Sequence, residues 1–91
     1  MEIKWSEKAL SDIARLYRFL EPVNRAAAAR TINSLATAPN RLSTHPKIGE
    51  KLEQFSGRDV RRLLIGAYEL RYEVLDRQVI ILRIWHTREA R

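Results

Sequence analysis

The last eleven residues, ILRIWHTREAR at positions 81–91, bring together side chains that could do chemistry. The imidazole of His86 can take up or release a proton near neutral pH. The guanidinium groups of Arg88 and Arg91 can bind phosphate or carboxylate. This segment therefore has three interpretations: part of a catalytic site, a basic contact surface for another macromolecule, or the polar end of a strand.

Composition limits the kind of protein that can carry this segment. The chain has 91 residues, of which 45% are hydrophobic and 31% charged, and this predicts one soluble domain over residues 1–91. It has no cysteine, which excludes disulfides, thiolate nucleophiles and cysteine metal sites. We expect no metal and no other cofactor. The first ten residues lack the apolar stretch of a secretory signal, so a cytoplasmic location is expected.

The net charge of +6 favours an anionic partner such as nucleic acid, the ribosome or an acidic protein. All basic residues after Gly57 are arginines, whereas the lysines lie earlier in the chain. The second part of the chain is therefore better suited to bidentate contacts with phosphate or carboxylate.

The first part of the chain is predicted to be mainly helical. Residues 3–5 form a short strand, and Ser6 caps a helix that ends near Glu21. The apolar positions of this helix recur at helical spacing and are expected to face the core: Leu10, Ile13, Ala14, Tyr17 and Leu20. Its other face carries Lys8, Asp12, Arg15 and Arg18. A second helix is predicted from Pro22 to the residue before Pro39.

After Gly57 the pattern changes to the alternation typical of β-strands. Strands are predicted at residues 60–65, 68–74 and 79–85, with Gly66 opening the turn between the first two. The predicted fold is α+β with the order β-α-α-β-β-β, in which a two-helix hairpin packs on a small antiparallel sheet.

Strand pairing assigns the side chains to two faces of the sheet. If Val74 pairs with Val79, then Arg71 pairs with Leu82. The face toward the helices would contain Leu63, Ile65, Tyr68, Leu70, Tyr72, Val74, Val79, Ile81 and Trp85, with Arg61 and Arg83 near its edge. The opposite face would contain Arg62, Leu64, Glu69, Arg71, Glu73, Ile80, Leu82 and Ile84, continued by His86. Exposed aliphatic residues among charges indicate a binding surface.

The segments HPKIG, DVRRLLIGAYELRYEV and VIILRIWHTREAR resemble the RelE/ParE superfamily of bacterial toxins from type II toxin–antitoxin systems, and the ParE-like branch more closely. The resemblance covers essentially the whole chain. It implies a growth-inhibiting toxin of the kind linked to plasmid stabilization, with a cognate antitoxin as its partner.

The ParE-like branch implies inhibition of DNA gyrase, and so of replication, through a protein–protein contact without enzymatic activity. Target-binding residues are then expected among the arginines: Arg61, Arg62, Arg71, Arg83, Arg88 and Arg91. The antitoxin is expected to cover Leu64, Ile80, Leu82 and Ile84 or the helix hairpin. The toxin–antitoxin complex is expected to bind operator DNA through the antitoxin, and no membrane is involved.

The RelE-like branch implies a different activity, ribosome-dependent cleavage of mRNA. Attack by a 2′-hydroxyl needs a base, an acid and cations for the developing charge, and the residues available are Arg62, Glu69, His86 and Arg88. Glu69 stands where that branch has arginine, and a tyrosine near the C-terminus is missing, so the residues favour the ParE-like branch. A third hypothesis is a degenerate member that only binds an antitoxin and regulates transcription with it.

Overall fold

Two helices cover one face of a five-stranded sheet in the computed structural model, which describes residues 1–89. The elements are β1 (Glu2–Trp5), α1 (Glu7–Leu20), α2 (Arg25–Thr37), a 3₁₀ helix (Ala38–Ser43), β2 (Glu50–Lys51), β3 (Val60–Ile65), β4 (Tyr68–Val74) and β5 (Gln78–His86). The strand order is β1-β5-β4-β3-β2. The predicted α+β class and element order are confirmed. The short β2 is additional, and β1 runs parallel to β5, so the sheet is mixed.

Side-chain caps set where the two helices begin. The Ser6 hydroxyl accepts a hydrogen bond from the Ala9 N–H at 3.0 Å, as the sequence predicts. The second helix begins later than predicted, because Asn24 caps it by accepting from the Ala27 N–H at 3.0 Å and Pro22 lies in the preceding turn. Within residues 1–89, neither helix has the length and apolar character needed to cross a membrane.

The buried face of α1 differs from the predicted apolar stripe. Ala9, Asp12 and Leu16 are buried, whereas Leu10 is 55% exposed. The prediction that Asp12 lies on the solvent face and Leu10 on the core face is therefore wrong. The physical reason is that the Asp12 carboxylate has specific partners on β5, which compensate for its burial.

Asp12 joins α1 to the part of β5 that extends beyond the end of β1. Pairing between β1 and β5 ends at Trp5 and Ile81, so α1 meets the strand beyond that point. The Asp12 carboxylate accepts hydrogen bonds from the Ile84 N–H at 2.9 Å and from the Arg83 guanidinium at 2.8 and 3.1 Å. Burial raises the pKa of Asp12, but the hydrogen bonds from Arg83 and Ile84 and the Arg83 charge outweigh it and hold the pKa below its usual value of 3.8.

A β-bulge in β5 changes the predicted pairing. Val74 pairs with Val79 as predicted, but Tyr72 pairs with Ile81 and Arg71 with Arg83, so Leu82 is an extra residue on β5. Ser6 stabilises this point, because its hydroxyl donates to the Leu82 carbonyl at 3.0 Å and its N–H donates to the Ile81 carbonyl at 3.0 Å. The predicted pairing of Arg71 with Leu82 is wrong.

The extra residue exchanges the two faces for the rest of β5. Ile84, which pairs with Leu70, is fully buried in the core under the helices. Trp85 pairs with Glu69 and therefore lies on the face opposite the helices. The sequence-based assignment of Trp85 to the core face and of Ile84 to the opposite face is wrong for both residues.

Tyr72 fixes the loop before β2 against the sheet. Its side chain is fully buried, as predicted for the core face, and its hydroxyl donates to the Pro46 carbonyl at 2.7 Å and accepts from the Gly49 N–H at 2.9 Å. A Cβ at Gly49 would lie 2.5 Å from the Arg62 carbonyl oxygen and 2.6 Å from the Tyr72 hydroxyl. Only glycine therefore fits at the end of the HPKIG segment.

We expect Asp12→Asn to lower the free energy of unfolding at neutral pH by about 1.5–3 kcal/mol, the usual contribution of hydrogen bonds to charged groups. Because the pKa of Asp12 is lower in the folded than in the unfolded chain, its stabilising contribution is present above the unfolded value and lost as the pH falls through the folded value. Urea unfolding of the wild type and the variant, from neutral to strongly acidic pH, measures this. The difference between the two proteins should shrink below pH 3.8.

Asp76→Asn is the matched control, because Asp76 is exposed in the turn before β5. It should unfold like the wild type at every pH. A difference between wild type and Asp12→Asn that stayed constant down to strongly acidic pH would contradict the assigned role of the carboxylate.

Candidate functional site

A groove of about 630 Å³ lies between the C-terminal half of α1 and the end of β5. Apolar side chains from α1 form one wall, and residues of β4 and the last described turn form the other. The lining residues are Arg15, Leu16, Phe19, Leu20, Tyr68, His86, Arg88 and Glu89. We call this the α1 groove. It combines apolar surface with two arginines and one carboxylate at its rim.

The bulge at Leu82 places His86 in this groove. His86 pairs with Tyr68 across the two strands, and the two rings meet edge to face with centroids 5.1 Å apart. The His86 Nδ1 accepts a hydrogen bond from the Arg88 N–H at 3.0 Å. The imidazole therefore has a structural role in the turn, because an unprotonated Nδ1 is needed to accept this bond.

Phe19 is the most accessible aromatic residue of the groove. Its side chain lies on α1 and is 76% exposed, and it contributes to the apolar surface of the groove. Phe19 is not among the site residues predicted from the sequence. Its position outside the apolar stripe of α1 is the signal that could have identified it.

The face of the sheet opposite the helices carries a second cluster of charged and aromatic groups. The Arg71 guanidinium lies 5.4 Å from the ring centroid of Phe55 and 4.9 Å from that of Trp85. Glu69 is buried and forms ion pairs with Arg71 at 3.3 Å and Arg62 at 3.7 Å. The charges on this face are thus largely paired with one another.

Glu69 and His86 do not come together as the nuclease hypothesis requires. Glu69 pairs with Trp85 and His86 with Tyr68, so the two side chains belong to opposite faces of the sheet. The prediction that both lie on one face assumed a regular β5, and the extra residue Leu82 invalidates it. The structure brings Glu69 to Arg62 instead, while Arg88 lies with His86 at the α1 groove.

The arginines predicted to contact a target differ in their availability. The Arg61 guanidinium donates to Asp59 at 2.9 Å and to the carbonyls of Lys47 and Gly49 at 3.2 and 3.0 Å, so it stabilises the preceding loop. Arg83 is bound to Asp12.

Arg62 donates to Glu50 at 2.7 Å, in addition to its pairing with Glu69. Arg88 is exposed, and among residues 1–89 no ion pair involves its guanidinium. Arg91 lies outside the described residues. Of the six predicted arginines, Arg88 is thus the described one whose charge is available to a partner.

The apolar surface predicted to bind an antitoxin is only partly present. Ile84 is fully buried, so it cannot belong to an exposed surface. Leu64 is 56% exposed, and Ile80 and Leu82 are half-buried. The α1 groove is a separate surface with apolar side chains, and the part of the helix hairpin that lines it is α1.

Comparisons with known proteins agree with this fold. A family model described as ParE toxin of type II toxin-antitoxin system, parDE, matches residues 3–91. A solved structure titled "Chromosomal ParDE TA system from P. aeruginosa" superposes with a TM-score of 0.80 at 20% identity, covering 94% of this chain and 95% of that chain. No curated protein is significantly similar in sequence.

The structural match shows the shared fold, and the family model extends over nearly the whole chain, including the segments HPKIG and RRLLIGAYELRYEV that carry the resemblance. The chain belongs to the ParE toxin family of type II toxin–antitoxin systems.

Proposed function

We propose that this protein inhibits bacterial growth in the cytoplasm by binding DNA gyrase, with the rim of the α1 groove as the contact surface. The match to the ParE toxin family over residues 3–91 carries the proposal. Arg88 and Phe19 support the proposed location, because together they present a cation and an exposed aromatic ring at the α1 groove.

The distribution of charge supports this location. Most of the other guanidiniums in the second part of the chain form ion pairs within the fold. Their carboxylate partners are Asp12, Asp59, Glu50, Glu69 and Glu73. A guanidinium that already pairs with a carboxylate contributes less binding energy to a contact with a new partner. Arginine and aromatic residues are also the side chains that most often dominate the binding energy of protein interfaces.

The nuclease hypothesis has less support from the geometry. It needs an acid and a base on the same side of the substrate, whereas Glu69 and His86 lie on opposite faces and Glu69 is engaged with Arg62 and Arg71. The His86 Nδ1 also accepts the hydrogen bond from the Arg88 N–H that stabilises the last turn. We therefore propose a binding mechanism rather than RNA cleavage.

The antitoxin is proposed to cover the same α1 groove. The groove offers an apolar floor from α1 with Arg15 and Arg88 at its rim, which suits an amphipathic segment that carries acidic side chains. An antitoxin bound there would mask Phe19 and Arg88 and so block the contact with the target. In this arrangement the antitoxin neutralises toxicity by direct competition.

The gyrase proposal predicts that the purified wild-type protein inhibits DNA supercoiling by gyrase and that Arg88→Ala weakens this inhibition by about tenfold or more, as for a residue at the centre of an interface. The fold should be unchanged, since the Arg88 N–H that binds His86 is retained. Supercoiling assays over a range of protein concentrations measure the effect. Arg77→Ala is the control, because Arg77 is exposed in the turn at the start of β5 and does not line the groove.

A wild-type protein that leaves supercoiling unaffected at micromolar concentration would overturn the gyrase proposal. A translating extract tests the alternative in parallel. Cutting of mRNA at ribosomes that is abolished by His86→Ala would favour the nuclease, whereas binding to the antitoxin without either activity would favour the degenerate member.

The antitoxin proposal predicts that Phe19→Ser weakens binding to the antitoxin encoded beside this gene by about tenfold, corresponding to about 1.4 kcal/mol. Phe19 is 76% exposed, so its loss should change the unfolding temperature little. Calorimetric titration measures the affinity. Val23→Ser is the matched control, since Val23 is 86% exposed but does not line the α1 groove. Equal weakening by both variants would contradict a contact specific to the groove.

A further inference from the structure

The last described turn, residues 86–89, closes on itself through hydrogen bonds at both of its ends. The Glu89 N–H donates to the His86 carbonyl at 2.9 Å, and the Glu89 carboxylate accepts from the His86 N–H at 2.7 Å. The Arg88 N–H donates to the His86 Nδ1 at 3.0 Å. These bonds define the shape of the turn but do not by themselves fix its position on the domain.

His86 is held by its pairing and ring contact with Tyr68, and two further contacts attach the residues after it to the rest of the described chain. The Thr87 N–H donates to the Ala67 carbonyl at 2.9 Å, which ties the turn to the hairpin between β3 and β4. On the other side, the Arg15 guanidinium forms an ion pair with the Glu89 carboxylate, which ties the turn to α1. The second contact connects the turn to a wall of the α1 groove.

Two further hydrogen bonds fix the orientation of the Arg15 guanidinium that binds Glu89. Its Nη2 donates to the Asp12 carboxylate at 3.3 Å and to the Ile84 carbonyl at 3.3 Å, which leaves Nη1 for Glu89. Asp12 is buried and is fixed independently by Arg83 and by the Ile84 N–H. A planar guanidinium bound at one end by a rigid carboxylate presents its other N–H groups in a defined direction.

We propose that Arg15 is a positioning residue for target binding: through Glu89 it sets the turn so that Arg88 lies at the rim of the α1 groove beside Phe19. This inference rests on the proposed function and assigns the control of that site to an ion pair between α1 and the last turn. Arg15 acts through Glu89, and loss of either partner should release the turn in the same way. Asp12 keeps Arg83 and Ile84 as partners when Arg15 is removed, so the fold should persist.

A double-mutant cycle of Arg15→Met and Glu89→Gln tests the proposal with two measurements. Hydrogen exchange of the His86 and Arg88 amides reports on the turn, and gyrase supercoiling assays report on target binding. Each single variant should speed exchange at both amides and weaken inhibition about fivefold, and the double variant should be no weaker than the single ones because the two residues act as a unit. The unfolding temperature should stay near that of the wild type. Arg15→Lys, which keeps the charge, should recover part of the inhibition.

Arg18→Met is the matched control, because Arg18 lies one turn further along α1, is exposed and does not line the groove. It should behave as the wild type in both measurements. Additive losses in the double variant, unchanged exchange at the His86 and Arg88 amides in the single variants, or an equal loss with Arg18→Met would each overturn the positioning role.

Hydrogen exchange separates this inference from the gyrase proposal. If the wild-type protein does not inhibit gyrase, the gyrase proposal fails and exchange at the two amides still decides whether Arg15 holds the turn. If the wild type inhibits gyrase and the variants change exchange but not inhibition, gyrase stands as the target and the positioning role fails.

Discussion

The extra residue at Leu82 determines which side chains of β5 face the helices, and the proposed contact surface depends on it. Before the bulge, Val79 and Ile81 fill the core, and after it Ile84 and His86 take over that side. A regular strand would instead place Trp85 on the side of the helices and Ile84 on the opposite side. The bulge thus lets one strand contribute to the core along its length and still bring His86 and the turn after it to the groove.

Ser6 and Asp12 compensate for the cost of this irregularity. A bulge leaves main-chain groups without their usual ladder partners, and buried groups of this kind need other hydrogen bonds. Ser6 binds the carbonyl of Leu82 while it also caps α1, and Asp12 binds the N–H of Ile84 beyond the end of β1. The start of α1 is therefore coupled to the geometry of β5, and the same helix supplies Phe19 to the groove.

The sequence predicts the helices and strands of this fold better than the register in which the strands pair. Alternation along β4 and the position of Gly66 locate the hairpin, where Gly66 has a positive φ of 60°, and the pairing of Val74 with Val79 is as predicted. The bulge could not be predicted, because residues 79–85 are largely apolar at both odd and even positions and so fit either face. The predicted position of Asp12 is wrong for a related reason. The burial of its carboxylate depends on partners that are 71 and 72 residues away in the chain.

The candidate site also depends on contacts between residues that are far apart in the chain. Composition indicates a basic protein with an anionic or acidic partner, but the net charge of +6 does not say which cations are free. In the folded chain, Arg61, Arg71 and Arg83 stabilise loops, aromatic stacks and strand edges, and their charge is directed inward to carboxylates. An ion pair that forms within the fold reduces the field that a partner experiences. We therefore expect the recognition surface of this basic protein to depend less on how many arginines it has than on which of them lack an internal carboxylate. Among the described residues of β5 and the turn after it, Arg88 at the α1 groove is the arginine that meets this condition.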